Sequence, residues 1–408
     1  MKRLIAILMV IAMFCMVLAG CGSSSAPAAP AAPAAPAADS GNEAADGGEA
    51  APASTTWGIE PMSQPVKINL GYFSGAYHSS PWYVMDAKGW LDELGISLEY
   101  FSFTNGPVMM EASANWDICT TGAPGAIPGM LNYDVRTIGF CDEEASINMY
   151  VRPDSPLAQS GQGHFSDYPK MYGTQDDWKG LTVLLPVGTT AHQSLVTVLE
   201  QIGLTVNDVT MQNMDVNTAL TAFKGGEGDM ISVWTSTSIE AESLGYVRAA
   251  SSRFDENHVI IPTCVCATDK ALNDPIKREA ILKLWELYYR TLQWEKENLE
   301  EAATLFAETC GIEGVSGADD YDLCYTSLSE WFFPKYLDEM IEMMTTKGPD
   351  AAGLYDGEIG NAYNELFNTF DFFMSQEKYT IDDRNFLIEN DKIDSSIAEE
   401  VAAIIAAR

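Results

Sequence analysis

The sequence predicts an α/β fold with largely parallel sheets and a helical C-terminal extension, on three observations. Short apolar runs of strand type alternate with amphipathic helical stretches from Val66 onward; the alternation comes in two separate sets; and after about Ala267 helical periodicity takes over. With 408 residues, 47% of them hydrophobic, the chain has enough apolar surface for one large or two modest domains.

Ahead of Val66 nothing has the texture of a folded domain. Lys2 and Arg3, an apolar run over 4–18 and the small residues before Cys21 follow the plan of a secretory signal peptide over residues 1–20. The run is too short to span a bilayer comfortably. Leu18-Ala19-Gly20-Cys21 resembles the bacterial lipobox, which implies cleavage before Cys21 and acylation of its thiol. The other reading is an ordinary cleavage site beside an unrelated cysteine. Residues 21–65 are dominated by Ala, Pro, Ser and Gly, the composition of a disordered tether. Its Ala-Ala-Pro repeats favour extended backbone, which at ~3 Å per residue reaches on the order of 100 Å.

A net charge of −35 excludes nucleic acid as a partner. It also removes any attraction to anionic headgroups, so membrane attachment would fall to the acyl chains of Cys21. Beyond Cys15 and Cys21 six cysteines remain: 119, 141, 264, 266, 310 and 324. Export permits disulfides without requiring them; Cys310 and Cys324 are the local pair, against the reading of six buried thiols acting as small hydrophobes.

The first set opens with a strand over Val66 to Tyr72 and a loop from Phe73 to Ser80. A helix follows from Pro81 to Lys88, with Ser79 or Ser80 as cap and Gly89 as left-handed stop. Strands at Ile96 to Phe103 and Trp116 to Gly122 come next, the latter opening into a Gly-Ala-Pro-Gly loop. The second set has a strand over Leu181 to Leu185, the turn Pro186-Val187-Gly188, and a helix that Thr190-Ala191-His192-Gln193 opens as a capping box and Gly203 ends. Val209 to Met214 and Asp229 to Trp234 read as strands around a helix from Asn217 to Phe223. After a β-rich run over Val259 to Ala267, helices are expected over Pro275 to Trp294, Leu299 to Cys310, Pro334 to Met344, Ile359 to Met374 and Ile397 to Ala407. The Trp331-Phe332-Phe333 cluster reads as core.

Four segments, in order and spacing, resemble the substrate-binding proteins of nitrate, sulfonate and taurine type ABC importers, a group that includes pyrimidine-precursor binders. They are GYFSGAYHSSPWYVMDAKGWLDELGI, Asp117-Ile118-Cys119-Thr120-Thr121-Gly122, WKGLTVLLPVGTTAHQSLVTVLEQIGLTVNDV and GEGDMISVWTSTSIEAESLG. The resemblance covers about Val66 to Tyr336. Thr235-Ser236 replaces the family's Asp-Pro, residues 157–172 look inserted, and the tail is long. The resemblance implies a two-lobed, type II periplasmic-binding-protein-like fold. Lobe 1 would comprise residues 66–152 plus 259–408 and lobe 2 residues 153–258, with a ligand cleft between them. Loops at the carboxyl ends of strands are also where open α/β sheets place ligands.

Gly188, Thr189 and Thr190 form a helix entry whose N–H groups suit an acceptor or anion, or whose threonines only cap the helix. Ser74, Tyr77 and His78 lie in the first strand-to-helix loop, where family members contact ligand. Tyr72, Trp82 and Tyr83 read as core, one of them able to form an aromatic wall. Gly122, Ala123 and Pro124 would let a ligand approach backbone, and Asp215 and Trp234 end strands of the second set. The three cleft loops contain neither Arg nor Lys, which favours an aromatic, N-heterocyclic or neutral polar ligand over a bare anion; Arg152 is the basic residue that could overturn this.

The expected function is therefore an extracytoplasmic receptor, monomeric and without cofactor or metal, that hands a small organic ligand, aromatic, N-heterocyclic or sulfonate-like, to an ABC permease and ATPase. One alternative is a sensing lipoprotein uncoupled from import. The other is an enzyme, since relatives of this fold make a thiamine pyrimidine with iron, a histidine and a cysteine-rich motif. That motif is absent here: Cys264-Val265-Cys266 supplies two thiols at strand spacing, and the four histidines form no nucleophile-base spacing.

Overall fold

The structure, a computed structural model, describes residues 55–252, 261–315 and 320–408. The signal peptide, Cys21 and the tether before Thr55 lie outside the described residues. Ten strands build two sheets: β1 (Val66–Tyr72), β2 (Ile96–Ser102), β3 (Ile118–Gly122), β4 (Val135–Glu143), β5 (Asn148–Val151), β6 (Thr182–Leu185), β7 (Thr210–Asn213), β8 (Met230–Val233), β9 (Val247–Ser251) and β10 (Pro262–Thr268). The first sheet has the order β2-β1-β3-β10-β4 and the second β7-β6-β8-β5-β9.

Three strands of each sheet, β1 to β3 and β6 to β8, run parallel. The strand that enters each sheet after a crossing, β5 or β10, runs antiparallel to both its neighbours. A chain arriving from the other sheet inserts against the βα direction, so each sheet is mixed around one antiparallel strand. The sequence-predicted boundary at residue 152 needs correction: Asn148 pairs with Val233 and Ser251, so residues 148–151 belong to the second sheet. The crossing therefore lies at 144–147.

The Gly-Ala-Pro-Gly stretch expected as a loop is the start of a helix, Ala123–Asn132. Pro124 falls in its first turn, where no N–H is needed. The glycines answer to packing: a Cβ on Gly125 would stand 2.7 Å from the Cα of Gly106, in the neighbouring helix Gly106–Glu111. Only two glycines let the helices approach so closely. The capping expectations also change. Helix Ser80–Ala87 starts with no side-chain cap, and the Ser79 and Ser80 hydroxyls instead donate to the carbonyls of Phe73 and Tyr77.

Residues 157–172 join the second sheet's core through Leu157 and Met171. The C-terminal extension comprises Pro275–Glu297, Leu299–Glu313, Leu337–Thr345, Asn361–Ser375, Ile381–Glu389 and Ser396–Ala407, with shorter turns between. Trp331 and Phe332 are buried in the first core, as expected, while Phe333 is partly exposed. All six described cysteines are buried and unbridged.

Arg384 locks the extension together. Fully buried, it donates to both oxygens of Asp350 at 2.9 and 2.8 Å and to Asp371 Oδ1 at 2.8 Å. Its guanidinium also lies 3.7 Å from the centre of the Phe367 ring. Breaking a buried pair leaves an uncompensated charge, so Arg384→Ala is expected to cost about 3–5 kcal/mol. Urea denaturation checks it: the midpoint falls with little change in slope.

Candidate ligand-binding site

Between the sheets lies a cavity of about 400 Å³, open mouth included. From the first half come Phe73, Ala76 and His78 of the loop after β1, then Gly106 and Pro107 at one helix start. Thr121, Gly122, Pro124 and Gly125 follow where β3 turns into the helix Ala123–Asn132. The second half supplies Thr189 and Thr190 at the start of Thr190–Gln201, and Trp234 and Thr235 at the start of Thr235–Ser243. Glu144, from the crossing between the sheets, completes the wall.

The two halves approach closely here. A Cβ on Gly122 would stand 2.7 Å from Thr190 Cγ2 and 3.4 Å from Glu144 Oε2. Behind the cavity a hydrogen-bonded chain joins both halves: Ser146 Oγ donates to Tyr77 Oη at 3.0 Å and meets Thr235 Oγ1 at 2.7 Å.

Of the residues singled out from sequence, His78, Gly122, Pro124, Thr189, Thr190 and Trp234 line this cavity. Ser74 lines the adjoining one, about 1110 Å³ with its open mouth, which Trp234 shares. Tyr77 is buried behind the wall, engaged with Ser146. Ala123 is buried inside its helix. Gly188 serves the turn, with φ +83° and its N–H donated to His192 Nδ1 at 3.2 Å. Asp215 caps the helix Val216–Lys224, accepting from the Thr218 backbone and hydroxyl at 3.0 and 2.6 Å. Arg152 is committed to structure as well: it donates to the carbonyls of Phe223, Glu227 and Gly228 and lies over the Phe223 ring. The capping box expected at Thr190 does not form; Thr189 is the N-cap position, and its hydroxyl donates to the Pro186 carbonyl at 2.7 Å. The first-turn N–H groups of Thr190–Gln201 therefore have no side-chain cap, and the positive helix end faces the cavity.

Glu144 escaped the sequence reading. Its signal was the acidic run Asp142-Glu143-Glu144 interrupting two apolar stretches, Ile138–Cys141 and Ile147–Val151. The residue is buried, and Oε2 has no hydrogen-bond partner. Burial, then repulsion by Asp142, pushes its carboxyl up to about 8, against the pull of the Thr190 hydroxyl toward the charged form. Burial likewise raises Asp142 to about 6. Burial lowers His78 to about 3, leaving a neutral imidazole whose Nδ1 lies 3.1 Å from Thr120 Oγ1.

This fold is similar to that of solved two-lobed binding proteins. The nitrate-binding protein NrtA of Synechocystis PCC 6803 superposes with a TM-score of 0.62 at 10% identity, covering 86% of this chain and 91% of that one. The alkanesulfonate-binding protein SsuA of Xanthomonas axonopodis pv. citri superposes at 0.57 with 15% identity, covering 77% and 94%. In sequence, a putative ABC transporter periplasmic binding protein of Brachyspira hyodysenteriae is 30% identical over 159 residues, 38% of this chain and 45% of the relative. A putative binding protein of Brucella abortus is 23% identical over 175 residues, 42% of this chain and 49% of that relative. The chain thus spans about half the length of the curated relatives it matches. No protein-family profile matches it.

The sign of the Glu144 shift fixes a pH dependence. Its pKa is raised from 4.5 in the unfolded chain to about 8, so the folded state holds the extra proton between those values, and the stabilisation is lost as pH rises through that window. His78, lowered from 6.5 to about 3, acts in the opposite sense, its contribution being lost as pH falls below 6.5. Comparison with Glu144→Gln isolates the first effect. Between pH 5 and 8 the wild type is expected to lose stability relative to the variant by up to about 1.4 kcal/mol per pH unit, read by urea melts of the ligand-free proteins. Parallel pH profiles would contradict it.

Proposed function

We propose that the chain is the extracytoplasmic solute receptor of an ABC importer, held at the membrane by a lipidated Cys21 and closing as a monomer on a small organic ligand between its halves. The observation that carries this reading is the cavity itself, whose walls come from both sheets and from the crossing that joins them. A hinge at 144–147 would open and close those walls as bodies, so ligand would bind by bridging them. The relatives named above as binding proteins support a receptor over an enzyme. Permease and ATPase are the partners this reading implies.

The proposed contacts are His78, Gly122, Pro124, Thr189, Thr190 and Trp234, with Phe73, Thr121 and Glu144 added by the geometry. Ser74 would face the outer opening. Tyr77, Ala123, Gly188 and Asp215 would hold the frame. A true ligand at a hundredfold excess over its dissociation constant is expected to stabilise the protein by roughly 2.7 kcal/mol, read by thermal shift. Gly122→Ala tests the bridging: its Cβ meets Thr190 Cγ2 across the cleft, at 2.7 Å. Ligand affinity should fall about tenfold or more, and ligand-induced compaction in small-angle scattering should shrink, with the ligand-free melting point little changed. Unchanged affinity and compaction would count against closure at this site.

A further inference from the structure

Two helix ends with no side-chain cap converge on the cavity, those of Ala123–Asn132 and Thr190–Gln201. Such ends ordinarily suit an anionic ligand. Here they meet a carboxyl group that the protein itself supplies, protonated in the empty cavity at neutral pH and ionised when a donor reaches it. Glu144 comes from the crossing, lies 3.4 Å from the Cβ position of Gly122 at the first helix end, and faces the Thr190 hydroxyl at the second. Its Oε2 has no partner although the side chain is buried.

We propose that the cavity selects a small ligand bearing N–H donors, such as an amidinium or an amino-substituted N-heterocycle, which binds the Glu144 carboxylate, and that it rejects bare oxyanions. This rests on the receptor reading above and narrows its ligand class. An unpartnered buried acceptor is costly until a donor reaches it, whereas an oxyanion at the same spot would require Glu144 to stay protonated and would lie near the Asp142 charge in a desolvated setting. Among the described residues neither Lys nor Arg lines the cavity to offset that repulsion. Thr121 Oγ1, also buried and unpartnered, offers a second polar contact from the stretch beside Gly122. Phe73 and Trp234 add aromatic surface suited to a flat or cationic group. The enclosed space is tight, about 30 Å³ clear of the walls, so the halves would have to part to admit even a single ring.

Titration calorimetry on the full chain distinguishes the outcomes, with benzamidine, cytosine and 2-aminopyrimidine in one arm and ethanesulfonate and nitrate in the other. We expect binding in the first arm only, weakened at least tenfold by Glu144→Gln. Thr121→Val provides a second variant that leaves the carboxylate intact, and it should weaken the same compound by a smaller factor. Ethanesulfonate or nitrate binding that Glu144→Gln leaves unchanged would overturn the donor proposal while the receptor reading stood. Donor compounds that bind wild type and Glu144→Gln equally would remove Glu144 from the site. Silence in both arms would overturn the receptor reading together with the ligand class.

Discussion

The crossing between the sheets holds the cavity together, and a few hydrogen bonds fix its course. Glu144 N donates to the Ile261 carbonyl and Ser252 N to the Ile147 carbonyl, each at 2.8 Å. The Ser252 hydroxyl donates to the Glu144 carbonyl at 3.2 Å. The outgoing run is thus paired at both ends, with Ile261 and with Ser252, and its buried backbone there is satisfied without a sheet of its own. This course delivers the Glu144 side chain to the place where both halves meet. In the proposed receptor it would also be the hinge, and a ligand bound there would touch it directly, so its contact energy would bear on the element whose geometry changes on closure.

The C-terminal extension touches both halves. It fastens to the first sheet by backbone pairing, with Thr137 N donating to the Lys392 carbonyl at 3.0 Å and Asp394 N to the Thr137 carbonyl at 2.8 Å. Buried Lys335 adds contacts to Glu143 and Glu365 at 3.3 Å each. From that base the helix Asn361–Ser375 reaches the second half, where Phe372 and Phe373 face the His192 ring at 6.4 and 6.1 Å between centres. His192 is held neutral by burial and by nearby Lys378, which lower it to about 4. An apolar contact thus joins a first-sheet extension to the helix at the cleft, outside the cavity lining.

Much of this fold was legible in the sequence, because strands buried on both faces read as short apolar runs and their positions follow from composition alone. Val66–Tyr72 was placed to the residue. The β5 boundary was missed because Asn148-Met149-Tyr150-Val151 pairs equally well with either sheet on propensity grounds; only its register with Val233 and Ser251 decides. The helix Ala123–Asn132 was hidden by Pro124, Gly125, Pro128 and Gly129, which read as breakers locally but serve close packing against Gly106 and Met110. At the site, loops after parallel strands were found from topology. Asp215 and Gly188 looked equally suited but do not line the cavity, since a cap hydrogen bond or a turn φ leaves no trace in composition.

Charge connects the surface to the interior. A net charge of −35 surrounds a cleft whose own buried group is a carboxyl and whose lining, among the described residues, contains neither Lys nor Arg. A field of that sign concentrates cations and repels anions before contact, and low-dielectric walls focus it into clefts. Had the fold been tuned for a bare oxyanion, long-range repulsion would have to be overcome by basic residues inside. Arg152 is the nearest candidate in sequence, and it is spent on the carbonyls that end the helix Val216–Lys224. The composition of the whole chain and the orphan oxygen of Glu144 therefore act in the same direction, one on the approach of a ligand and the other on its final contact.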